Sequence, residues 1–258
     1  MCRATRIGLA LAFAVVCGVT ASVLRAEDFR IDTDYYIGSD KTPNAMVLTI
    51  FQGGNIYDFQ LKGPEVTIYE PRRGKITLLD VKRELRTTLD TADLLDAAIS
   101  LQTAALQSTK PLQPIFIAAA KPEFQTDTEN FSENGNSYTR LTFQSAPLQY
   151  TVVAQAARFP AAAQDFKYCA DWSARLNSIR PGGLPAGARL EVNEALAAKG
   201  LIPTSIERST PGAKLTEVRT RHLVNWKLSQ DDHRRIDETG NQLARFKAVS
   251  FAEYSQQK

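Results

Sequence analysis

The run from Asn44 to Asp90, NAMVLTIFQGGNIYDFQLKGPEVTIYEPRRGKITLLDVKRELRTTLD, decides the fold, because turn chemistry and side-chain alternation agree along its length. NAMVLTIFQ ends in Gly53-Gly54. Without Cβ atoms these two residues accept the positive φ angles of a tight hairpin, and NIYDFQL then runs back. EVTIYE meets Pro71-Arg72-Arg73-Gly74, where proline presets the first turn angle and glycine takes the left-handed position before KITLLD returns. The reading is an antiparallel meander, extended by a short strand in which Leu85, Thr87 and Leu89 alternate. In the strand around Leu48, Val47 and Phe51 point one way while Met46, Leu48 and Ile50 point the other. Both faces of this part of the sheet are therefore expected to be covered.

Outward from the meander, Glu27 to Gly38 reads as a first strand. From Asp90 or Thr91 the period changes: Leu94, Leu95, Ala98, Leu101, Ala105 and Leu106 recur at helical spacing, a stripe suited to lying across the sheet. Pro111 and Pro114 break that helix, IFIAAA (115–120) is read as a short strand, and Lys121 to Asn136 as a loose edge strand and loop. Tyr138 to Gln144 and Leu148 to Ala154 form a further hairpin. Pro160 opens a helix in which Phe166, Cys169, Ser173 and Leu176 share one side, and ARLEVNEALAAK follows as a second helix that stops at Gly200. Ile202 to Ser209 and Leu215 to Leu228 make a last hairpin through Thr210-Pro211-Gly212. Its second strand alternates cleanly, with Val218, Thr220, His222, Val224 and Trp226 on one face. Ser229 caps a closing helix whose Ile236, Leu243 and Phe246 face inward. The expected fold class is α+β: a long, curved antiparallel sheet of about ten or eleven strands with three or four helices, the pair at about 159–200 forming a helical insertion in one domain over 27–258.

Composition bounds what such a fold is for. A chain of 258 residues, 43% hydrophobic and 23% charged, can bury a sizeable core. Residues 1–26 read as a secretory signal peptide, with Arg3 and Arg6 ahead of an apolar run from Ile7 to Leu24. Cleavage is expected after Ala26, with Ala21 as the second choice and an uncleaved anchor as the alternative. The mature chain is then expected in the periplasm or outside the cell, with no transmembrane segment. Of the 31 basic residues the leader holds Arg3, Arg6 and Arg25, so the mature chain balances 28 against 28 acids, which argues against a nucleic-acid partner. Cys2 and Cys17 leave with the leader, and Cys169 remains without a disulfide partner.

Sites for chemistry are scarce. There are two histidines: His222 sits on the apolar face of a strand, as a neutral imidazole bonded inside the core, and His233 in a first helical turn, without metal-ligand spacing. No G-x-S-x-G, H-E-x-x-H, Walker or dinucleotide glycine motif occurs. No catalysis, metal or cofactor is expected. Phe51, Tyr57, Phe59, Tyr69, His222 and Trp226 are the candidate lining of an apolar ligand cavity, a filled core being their alternative use.

VTIYEP (Val66 to Pro71), with Gly63 before it and ITLLD after it, resembles the strand end of the bacterial periplasmic lipoprotein-carrier family over about residues 44–110. Thr67 stands where that family usually has tryptophan, Glu70 replaces aspartate, and the family's N-terminal helix has no counterpart between Glu27 and Asn44. The resemblance implies an unclosed barrel lidded by helices that carries acyl chains without chemistry. The expected function is accordingly binding of an apolar or amphiphilic ligand, or carriage of a lipidated protein. Two readings stand beside it: an envelope structural or interaction protein with a closed core, and a hydrolase with scattered catalytic residues.

Overall fold

The computed structural model describes residues 27–108, 114–210 and 217–256. The leader expected over 1–26, Pro111 and the Pro211-Gly212 turn lie outside them.

The meander forms as its turns dictate. β2 (Ala45–Gln52), β3 (Asn55–Gln60), β4 (Glu65–Glu70), β5 (Lys75–Asp80) and β6 (Leu85–Asp90) pair in sequence, each antiparallel to the last. Gly53 and Gly54 close the first hairpin at φ +60° and +81°, and Gly74 sits at +59° after the single 3-10 turn Pro71–Arg73. β1 (Phe29–Ile37) pairs with β2 on one side and with β11 (Val218–Asn225) on the other, so the first strand joins the two halves of the sheet. Beyond β11 lie β10 (Leu201–Ser209), β9 (Leu148–Ala156), β8 (Asn136–Ser145) and the polar edge strand β7 (Gln125–Glu133). At the opposite edge a two-residue strand, β12 (Lys247–Ala248), runs parallel to β6. Among the described residues this is one open sheet of twelve strands with six helices. The short elements β12, α2 and α6 account for most of the excess over the expected counts.

The two faces carry separate cores. Phe29, Ile31, Phe51, Ile56, Tyr69, Ile76 and Leu78 turn to the first face, where they meet α3 (Pro160–Ser178) and α4 (Gly187–Ala198). Leu48, Ile50, Phe59, Val66, Ile68 and Leu79 turn to the second, under Ile236, Leu243 and Phe246 of α5 (Gln230–Arg245) and its C-cap. The doubly apolar pattern of β2 thus has a helix layer on each side. A capping box fixes the start of α5: Ser229 Oγ accepts from Asp232 N at 3.2 Å and Asp232 Oδ2 accepts from Ser229 N at 2.7 Å, while Arg30 of β1 pairs with Asp232 at 2.8 Å. After α5 the chain passes the β6 edge as β12 and returns to the first face as α6 (Phe251–Gln256), where Tyr254 is buried and donates to Glu65 Oε2 at 3.3 Å.

The sheet is curved. Tyr69 of β4 bonds Ser173 of α3 at 2.7 Å, and α3 also packs against β10, five strand positions away. On a flat sheet those strands lie about 24 Å apart, and a helix is only about 10 Å across. The sheet must therefore wrap the helix.

Two expectations are corrected. IFIAAA is helical: α2 spans Pro114–Ala120 and buries Ile115, Ala118 and Ala119 at helical spacing while Ile117 stays 48% exposed. A six-residue apolar run does not separate strand from helix by period, and the proline suits a first turn. The stripe of α1 (Thr91–Gln107) does not lie across the sheet. It is fully buried only at Leu94, while Leu95, Leu101 and Leu106 are 36%, 43% and 45% exposed, because α3 already fills the curved face and α1 is left beside α2 and the end of β6. No helix among the described residues is long and apolar enough to cross a membrane.

Candidate functional site

A half-open cavity of about 280 Å³ lies between the curved face and the helices. Its floor comes from alternate residues of six strands, as the two-residue period requires: Ile31, Thr33 and Tyr35 of β1, Thr49 and Phe51 of β2, Asp58 of β3, Tyr150 of β9, Ile206 and Arg208 of β10, and Val218, Thr220 and His222 of β11. Its roof is the α3 stripe, Phe166, Cys169 and Ser173, completed by Arg189 of α4 and Ala119 of α2. Most of the wall is aliphatic or aromatic, with polar groups set into it singly or in pairs.

Register explains the pairs. Thr33 lies opposite His222, and Thr33 Oγ1 stands 3.0 Å from His222 Nδ1; Thr220 Oγ1 lies 2.9 Å from Nε2. Both ring nitrogens are thereby occupied. Burial, with the charge of Arg189 adding to it, pushes the imidazole down to about 3. Thr49 lies opposite Asp58 and donates to Asp58 Oδ1 at 2.6 Å. Burial pushes that carboxyl up to about 6 despite the Thr49 bond, with the charge of Glu65 adding to the rise. Burial raises the Cys169 thiol well above its ordinary range and lowers the Arg189 guanidinium, on which Arg208 also acts as a like charge.

An adjoining hollow of about 310 Å³ shares Tyr35, Asp58, Ser173 and Asn177 with the cavity and continues past Tyr69 to the ion pair of Glu65 and Arg180, 2.7 Å apart. A third hollow, about 480 Å³, lies beyond Phe51 beside Trp172.

The sequence-derived candidates separate. Phe51 and His222 line the cavity and Tyr69 lines the adjoining hollow. Trp226 packs on Phe29 and Phe159, with ring centroids 5.5 and 5.6 Å away, as part of the filled core. Tyr57 and Phe59 belong to the opposite face, under α5, because they alternate with Ile56 and Asp58. Asp58, Thr33, Thr49, Arg189 and Arg208 were missed. Asp58 and the threonines carried a signal, being polar residues on the inward side of apolar strands; the two arginines carried none.

An imidazole with a pKa near 3 is a weak base, and both its nitrogens are held by hydroxyls rather than oriented by a carboxylate. Cys169 is kept as the thiol. Among the described residues no group of three His, Cys, Asp or Glu side chains is placed to hold a metal ion.

The sequence matches no protein-family model and no curated protein. Among solved structures, PNGF-II is similar in fold with a TM-score of 0.38 and 10% identity, over 87% of this chain but 31% of that one. The LolA superfamily protein NE2245 from Nitrosomonas europaea is similar with a TM-score of 0.26 and 8% identity, over 80% of this chain and 88% of the other. Neither likeness assigns a role to any residue here.

Proposed function

We propose that this protein is a non-catalytic binder of an amphiphilic small molecule, held in the cavity between the curved sheet and α3. One observation carries the reading: a mostly apolar cavity with a few polar groups set into its wall lies between the first-face core and α3. The cavity and its adjoining hollow, about 280 and 310 Å³, together fall in the range of small-molecule pockets, about 300–1,000 Å³. The acyl chain of a lipidated protein belongs to the same ligand class, and the leader expected over 1–26 would put the encounter outside the cytoplasmic membrane. Cys169 is held as the thiol and both ring nitrogens of His222 are taken up by threonine hydroxyls, which supports binding over turnover.

The test is titration of delipidated protein with a fluorescent long-chain fatty acid. Saturable one-to-one binding is expected, and it should be lost in Ala174→Phe, which fills the cavity from α3, at an unchanged melting temperature. A chromogenic acyl ester should remain intact. Delipidated protein that shows no saturable uptake, or that hydrolyses the ester, overturns the reading.

A further inference from the structure

The charge distribution inside the cavity is lopsided. Arg189 and Arg208 both line it, from α4 and β10, and the charge of Arg208 acts against that of Arg189. Neither guanidinium has an ion pair or a side-chain hydrogen bond among the described residues, whereas Arg30 of β1, Arg83 of the β5–β6 turn and Arg180 of the loop after α3 each meet a carboxylate at 2.7–2.8 Å. Asp58 is the one acidic side chain in the lining, and it sits on β3, four strand positions from Arg208. It is therefore placed toward the other end of the lining from Arg208, bonded to Thr49, rather than paired with either arginine. Both guanidiniums border the cavity with N–H donors that no side chain among the described residues takes up, leaving them open to a ligand that enters it.

We infer that the ligand of this cavity carries an anionic head group, an oxyanion such as a carboxylate or phosphate, held between Arg189 and Arg208, with its apolar chain running over Ile31, Phe51 and Phe166 toward Asp58. This rests on the binding reading above and adds the chemistry of the head. The planar forks of the two arginines suit an oxyanion, each able to offer parallel N–H donors. The far end, at Asp58 and Thr49, repels a second anion, so the cavity also sets the orientation in which the ligand enters. A cationic head would have to displace no existing partner at the arginines and would meet only repulsion there. An uncharged head would leave both guanidiniums unpaired.

The experiment compares ligands with one tail and different heads: dodecanoate, dodecyl phosphate, dodecanol and dodecyltrimethylammonium, each displacing the same fluorescent probe from delipidated protein at pH 8. Charge-assisted hydrogen bonds predict that at least one anion binds about ten- to a hundred-fold tighter than dodecanol, and that the ammonium binds worst. In Arg189→Gln and Arg208→Gln the anion should fall toward the dodecanol value while dodecanol itself is unchanged, which separates loss of the head contact from loss of the fold. Dodecanol binding as tightly as both anions to the unaltered protein overturns the inference and leaves the binding reading intact. If none of the four displaces the probe, or the probe itself does not bind, the binding reading falls first. Since the ligand series uses the native chain, the outcome does not depend on the variants folding.

Discussion

Replacing Asp58 by asparagine should raise stability at alkaline pH and not at acid pH. The carboxyl is held in the cavity by one hydroxyl, and burial lifts it from the ordinary 3.8 to about 6, Glu65 contributing further. Its remaining accessible surface faces the cavity rather than bulk water. A folded-state value above the unfolded one means that the native protein binds the extra proton between the two. Stability contributed by this group is therefore present at low pH and lost as pH rises from about 4 through about 6. At about 1.36 kcal/mol for each tenfold change in proton affinity, the charged form costs about 3 kcal/mol at pH 8. Asparagine removes that cost and keeps an oxygen for Thr49, while its amide NH2 enters a poorly supplied wall and takes back about 1 kcal/mol. The net gain is then about 2 kcal/mol at pH 8, a rise of roughly 4–8 °C in melting temperature for a domain of this size, shrinking to nothing by pH 4. His222 has the opposite sign, because its lowered value makes the unfolded state the better proton acceptor as pH falls below the ordinary 6.5. It contributes equally to both proteins, so it cancels in their difference. Tyr35, Tyr69 and Cys169, the other titratable groups facing Asp58, stay uncharged across this range. The assay is urea unfolding of ligand-free protein and variant at pH 4, 6 and 8. A gain that is the same at all three, or a loss at pH 8, refutes the argument that desolvation governs this carboxyl.

Two further perturbations test the scaffold around the cavity. A Cβ on Gly187 would stand 2.5 Å from the carbonyl oxygen of Ala120 and 2.9 Å from that of Ala119, so Gly187→Ala must push α4 away from α2; a loss of about 1–3 kcal/mol in chemical denaturation is expected, and unchanged stability would show that the two helices are not in such contact. Ser229→Ala removes the hydroxyl half of the α5 capping box and should cost about 1 kcal/mol, read as a lower urea midpoint at constant slope, with no loss of probe binding because α5 lies on the face opposite the cavity.

The local devices were legible in the residues themselves. Gly53-Gly54 and Pro71 to Gly74 specify their turns because few backbone conformations are open to other residues there, and Ser229 with Asp232 specifies a helix start through bonds three residues apart. The α3 stripe of Phe166, Cys169 and Ser173 was also correct as a helix face, although nothing in it distinguished a packed surface from the roof of a cavity. Where the signal was short or shared between periods, context decided. IFIAAA became a helix, and the α1 stripe stayed largely at the surface once α3 had taken the curved face.

Alternation along each strand, set by the pleat, determined from sequence alone that this is an antiparallel sheet with helices and that β2 is covered on both sides. Only the tertiary structure decided that β1 joins β11, that the sheet curls round α3, and that Asp58 and His222 share a cavity with Arg189 and Arg208. The reason is range: turns and caps are fixed by atoms a few residues apart, whereas Asp58 and Arg208 are brought together by a curvature accumulated over five strands, which no window of sequence contains.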